Sequence, residues 1–133
     1  MFKVSNEFAV KSRATGKKPL ESQGIETIPN SALVNRVEYT PGFGMVSCSV
    51  GKQPFAGSME ITYRPGETLV EFESFERWLK SISSRPMTIE DLCRLAFDSL
   101  RKALGNIPLR VVVDARTTVH APVRATIESE GFQ

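Results

Sequence analysis

The stretch Val46-Ser-Cys-Ser-Val-Gly-Lys-Gln-Pro54 puts a thiol, Cys48, where β-forming residues give way to glycine, lysine and proline. A cysteine at a strand end is a candidate nucleophile. Its thiolate adds to an electron-poor carbon, such as that of a nitrile, and forms a covalent thioimide. Lys52 is a cation that would favour the thiolate if it folded back over the sulfur. Further along, Glu90 opens an amphipathic stretch, and a carboxylate there can accept two N–H bonds from the guanine-type edge of a purine-like ring. Charge-assisted pairs of that kind give selectivity. Each residue has a plain alternative. Free cysteine is most often a small buried side chain, and an acidic residue in a first helical turn is explained by the helix dipole. On pattern alone both alternatives stay open.

Other chemistry is sparse. Cys93 falls in an apolar helical stripe and reads as core. His120 is the only histidine, so a Cys–His dyad would have to use it, and a histidine-rich metal site is impossible; no metal is expected. Its setting, Thr118-Val-His-Ala-Pro122, is more typical of a loop or strand end than of a catalyst. Gly42, Gly44, Gly51 and Gly57 do not form a phosphate-binding loop. The aromatic residues are few and fall mostly on apolar faces, which leaves a single-strand stacking platform unsupported.

The elements that must position these groups follow a simple order. The first 35 residues read as an arm and an irregular lead-in, broken by Gly16-Lys-Lys-Pro19 and Pro29-Asn-Ser31. Val37–Tyr39, Met45–Val50 and Ser58–Tyr63 alternate and read as strands, the last two as a hairpin, with a turn at Arg64-Pro-Gly66. Phe72, Phe75, Leu79 and Ile82, with Trp78 beside them, predict a helix that Ser83-Ser-Arg-Pro86 stops. Leu69-Val-Glu71 before it is either extended or already helical. Thr88 caps a second helix striped by Ile89, Leu92, Cys93, Ala96, Phe97, Leu100 and Leu104, which Gly105-Asn106 ends. Two further strands, Leu109–Ala115 and Val123–Glu128, close the chain. This order gives an α+β domain, an antiparallel sheet from two hairpins with two helices on one face.

Bulk properties agree with one domain. The 133 residues are 41% hydrophobic and 24% charged, and no apolar run is long enough for a membrane span or a secretory signal. Two cysteines without secreted-scaffold spacing favour a reducing, cytoplasmic setting. The net charge of +2 is uneven: Lys3, Lys11, Arg13, Lys17 and Lys18 stand against Glu7 alone in residues 1–20. That basic arm on a domain spanning 21–133 is either a contact for nucleic acid or an acidic partner, or a solvated tail.

Taken in order, Glu26-Thr-Ile-Pro-Asn30, Cys48 with Gln53-Pro54, Tyr63 and Pro65, Leu69-Val-Glu71 with Ser74 and Leu79, and then Glu90 resemble the 7-cyano-7-deazaguanine reductases, the QueF family of the tunnelling fold. The resemblance runs from about Glu21 to the C-terminus and rests on order and spacing, since no single motif is decisive. It implies a hairpin–helix pair–hairpin protomer, assembly into an oligomeric barrel, and ligand sites at subunit interfaces. It also implies that Cys48 forms the thioimide, that Glu90 binds the deazaguanine base, that Glu71 and Ser74 are further substrate-binding residues, and that NADPH supplies hydride.

The chain departs from the family at several of these points. The family's aspartate seven residues after the cysteine is Phe55 here, and its histidine just before the glutamate is Ile89. Its two signature lysines are Glu73 and Glu76, anions that repel a 2′-phosphate. Arg77 or Lys80 compensates only in part, so NADPH is doubtful. The expected function is action on a 7-cyano-7-deazaguanine-type nitrile through Cys48, by reduction or by amine addition to an amidine, on a free base or in nucleic acid. The alternative is a non-catalytic base-binding protein of the same fold. A pterin- or GTP-directed enzyme of this fold is a third reading, against which the single histidine argues.

Overall fold

Strand pairing is organised around one long central strand. In a computed structural model, which describes residues 24–133, the chain runs β1 (Thr27–Pro29), β2 (Val37–Tyr39), β3 (Gly42–Ser47), β4 (Pro54–Tyr63), β5 (Thr68–Val70), α1 (Phe72–Ile82), α2 (Ile89–Leu104), β6 (Leu109–Thr117) and β7 (Val123–Glu128). β2 and β3 pair in turn along one edge of β4, β6 takes the other edge, and β7 pairs with β6; every pairing is antiparallel. The expected α+β order of hairpin, helix pair and hairpin is what the chain adopts. The basic arm at residues 1–20 lies outside the described residues.

The period-2 alternation of the central strands separates two faces. Met59, Ile61 and Tyr63 of β4 and Val111, Val113 and Ala115 of β6 are buried in the core shared with both helices. The other face carries Glu60 of β4, Asp114 of β6 and Arg124 of β7. There Arg124 Nη1 donates to Glu60 Oε2 at 2.9 Å and to Asp114 Oδ2 at 3.1 Å. Burial of each large apolar side chain stabilises by about 1.5–3 kcal/mol, so the inner face carries the fold. The exposed side of the ion-pair network contributes far less.

α1 buries Phe75, Trp78, Leu79 and Ile82, and α2 buries Leu92, Cys93, Ala96, Phe97 and Leu100. These are the predicted stripes, with two corrections: Phe72 is 48% exposed and stacks on Tyr39, with ring centroids 4.4 Å apart. Leu104 is only half-buried. Cys93 is core, its Sγ lying 3.4 Å from Ala125 O and 3.5 Å from Val111 O, and neither cysteine is in a disulfide.

Strand ends differ from the sequence expectation. β3 occupies Gly42–Ser47 instead of Met45–Val50, and β4 begins at Pro54, four residues before Ser58. The extra pairing at the start of β4 involves Phe55-Ala-Gly57, which has no alternation to read. The lead-in is not wholly irregular either. Thr27–Pro29 forms β1, antiparallel to β5, which also settles Leu69-Val70 as extended. A three-residue strand containing proline gives no periodic signal.

Asn30 explains how that small sheet is fastened. It is buried, its backbone N–H donates to Glu67 O at 2.8 Å, and its side-chain amide donates to Gly66 O and Val34 O at 3.0 and 3.1 Å. Its Oδ1 accepts from Val34 N at 2.9 Å.

Candidate functional site

Cys48 begins a tight loop. Once β3 stops at Ser47, the Cys48 N–H donates to Gln53 O at 3.0 Å and the Cys48 carbonyl accepts from Lys52 N at 2.8 Å. Closure bends the backbone left-handed at Lys52, with φ at 61°. The thiol is half-buried and packs against the edge of the core. Lys52 is exposed and does not line the cleft beside the sulfur, so it does not fold back over the thiol as the sequence suggested.

A second contact brings in the start of α2. The Met87 N–H donates to Ser47 O at 2.9 Å, tying the strand end beside Cys48 to the linker before Thr88. Thr88 is the N-cap, and its hydroxyl accepts the Asp91 N–H at 3.0 Å. The cap is therefore supplied by Thr88, and Glu90 is left exposed in the first turn. Among the described residues none hydrogen-bonds or ion-pairs with its carboxylate. The helix dipole stabilises such an anion, but it does not occupy its lone pairs.

The third wall is the β6–β7 turn. Thr118 Oγ1 accepts the His120 N–H at 3.2 Å and donates towards the carbonyls of His120 and Ala121, which fixes the turn. The His120 ring is exposed, and its Nδ1 lies 2.7 Å from Ala121 O. Together the three segments enclose a cleft of about 190 Å³ lined by Cys48, Glu90 and His120, with Phe55 and Ile89 as its apolar floor. Ligand pockets typically measure ~300–1,000 Å³, and this cleft lies below that range.

Cys48 and Glu90 thus meet in one cleft although 41 residues separate them. His120 sits in the loop between β6 and β7, in keeping with its local sequence setting. Its place on the same cleft as Cys48 depends on the β4–β6 register, which no short motif reveals. Among the described residues no three His, Cys, Asp or Glu side chains come together in a set that could hold a metal ion.

Glu71 and Ser74 are elsewhere, at the start of α1. Glu71 is the N-cap, its carboxylate accepting the Ser74 N–H at 2.8 Å and the Glu73 N–H at 3.1 Å. Those backbone donors hold its carboxyl below the ordinary value of 4.5. Ser74 is completely buried; its Oγ donates to Glu71 O and accepts from Glu26 N, both at 2.8 Å. Neither residue lines the Cys48 cleft. Glu76, at one of the family's lysine positions, accepts the Tyr39 hydroxyl at 2.6 Å, and burial together with this anion pushes the Tyr39 phenol up.

No family model matches the chain, and no curated protein is similar to it in sequence. Solved structures do match, 42 chains in all. One is the crystal structure of the archaeosine synthase QueF-Like in the apo form, with a TM-score of 0.66 and 20% identity over 75% of this chain and 98% of that one. The chain therefore has the QueF-like fold. Among the described residues no helix is long and apolar enough to cross a membrane.

Proposed function

We propose that this protein is a QueF-like enzyme that binds a 7-cyano-7-deazaguanine-type base and attacks its nitrile through Cys48. The observation that carries the reading is the meeting of a half-buried thiol and an unengaged carboxylate in one cleft. Glu90 accepts two N–H groups of the guanine-type edge, and Cys48 adds to the nitrile carbon. Phe55 and Ile89 give the ring an apolar bed. The shared fold with a protein called an archaeosine synthase supports a deazaguanine ligand.

The second step is best read as addition of an amine to give an amidine. NADPH does not fit the residues present: Glu73 and Glu76 present carboxylates on α1 where a 2′-phosphate would need cations, and Glu76 is held there by Tyr39. The small cleft and the open sheet edges support a homo-oligomer in which a neighbouring protomer completes the site. A base carried in nucleic acid suits an open cleft and the basic sequence at residues 1–20.

The second reading is a binding protein without turnover, favoured by the apolar Phe55 and Ile89 in the cleft floor. Intact-mass spectrometry after mixing with 7-cyano-7-deazaguanine separates the two. A gain equal to the mass of the base, absent in Cys48→Ala, is expected. Binding by calorimetry with no adduct overturns the enzyme and leaves the binding protein.

A further inference from the structure

We propose that His120 is the general acid–base of thiol addition in this cleft, an inference that rests on the reading of Cys48 as the nucleophile. Addition of a thiol to a nitrile moves one proton. The S–H bond breaks, the S–C bond forms, one π bond of the C≡N group opens, and its electron pair on nitrogen takes up the proton. Nothing else is consumed. A group that accepts the proton from sulfur and returns it to nitrogen is therefore all the step requires.

Three residues with ionisable side chains line the cleft: Cys48, Glu90 and His120. Glu90 must stay ionised to accept the N–H groups of the ring, so it is engaged as an anion throughout. His120 is the remaining carrier. Phe55 and Ile89 close the floor with hydrocarbon and offer no competing acid.

The turn prepares the imidazole for this task. Ala121 O can only accept, so in the neutral imidazole the 2.7 Å contact favours the tautomer with the hydrogen on Nδ1 and the lone pair on Nε2. A backbone carbonyl on Nδ1 is how histidines are commonly oriented and their tautomer fixed. The Thr118 hydroxyl bonds the backbone on both sides of the ring, which fixes the loop that carries it. Nε2 accordingly takes the thiol proton and delivers it to the nitrile nitrogen.

The test measures the rate of adduct formation with 7-cyano-7-deazaguanine by quenched intact-mass spectrometry, in the full chain and in His120→Gln. Base affinity is measured separately by calorimetry in Cys48→Ala with and without His120→Gln. The expected result is an adduct rate lowered about a hundredfold or more, the same final adduct yield, and an unchanged affinity. Added imidazole restores part of the rate in His120→Gly, which a merely structural role would not allow. An adduct forming equally fast in parent and His120→Gln overturns the role of His120 and leaves Cys48 standing. A rate loss matched by an equal loss of affinity overturns it too, because it reduces His120 to a binding contact. A parent chain that binds the base and forms no adduct overturns the Cys48 reading and this inference together.

Discussion

Two glutamates sit at helix starts, Glu71 before α1 and Glu90 in the first turn of α2. The first is spent on the helix: its carboxylate takes two backbone N–H groups. The second is not, because Thr88 supplies the cap. Their Gln variants should differ accordingly. If Glu90 holds the base as proposed, Glu90→Gln turns one acceptor oxygen into a donor facing ligand N–H groups and should cost about 2 kcal/mol of affinity, roughly thirtyfold. Stability changes by less than about 1 kcal/mol. Cys48→Ala keeps reversible binding and loses the adduct. Calorimetry that finds Glu90→Gln binding as tightly as the parent would remove the base anchor.

Glu71 responds to pH instead. Its folded-state pKa lies below the ordinary carboxylate value of 4.5, so the folded form binds the proton less readily than the unfolded chain. The stabilisation is therefore fully present above that value and is lost as pH falls through the lower, folded one. The gap in urea midpoint between parent and Glu71→Gln should be widest near neutral pH and shrink in acid. A constant gap would sink this account.

At the scale of elements, the β4–β6 pair has the least tolerance. Its register shifts at Ala56/Gly57, and a Cβ on Gly57 would stand 1.9 Å from Asp114 O. The obstacle is backbone, which cannot rotate away. Gly57→Ala should therefore cost about 3 kcal/mol or more in denaturant unfolding, and a change below about 0.5 kcal/mol would show that the pairing is looser than described. α1 yields a ligand test. With Glu73 and Glu76 where cations would be needed, titration by nicotinamide fluorescence should show no saturable NADPH binding. A micromolar dissociation constant would restore the reductase.

Both helices were legible because their stripes repeat over three or four turns. Thr88, Ser83 and Gly105 mark their ends by side-chain or backbone preference. β1 and the start of β4 were not legible, since pairing there depends on a partner strand and not on alternation. The candidate site divides in the same way. Cys48 and Glu90 announced themselves by type and motif order. Their proximity hangs on the Met87–Ser47 bond, and the place of His120 on β-sheet register. Long-range hydrogen bonds of that kind leave no local trace.

At the scale of the whole molecule, the described sheet has two open margins, β7 on one side and β2 with β3 on the other. Unpaired N–H and C=O groups on such edges invite another strand. Val50, 79% exposed, and Val119, 67% exposed, are apolar residues at the tips of the two loops that frame the cleft. The small cleft of about 190 Å³ fits the same picture. Light scattering at micromolar concentration should give a symmetric homo-oligomer. A monomer that persists there would remove the interface site and leave the open cleft to act alone.

Cys93 lies fully buried among β6, β7 and the core face of α2, and burial pushes its thiol up, away from the reactive thiolate. The chain has only one other cysteine, Cys48, at the mouth of the cleft. A maleimide dye applied to the native protein therefore has a single address, and no cysteine has to be engineered out first. A fluorophore placed there would report, in the unaltered sequence, the arrival of any ligand or neighbouring protomer at that mouth.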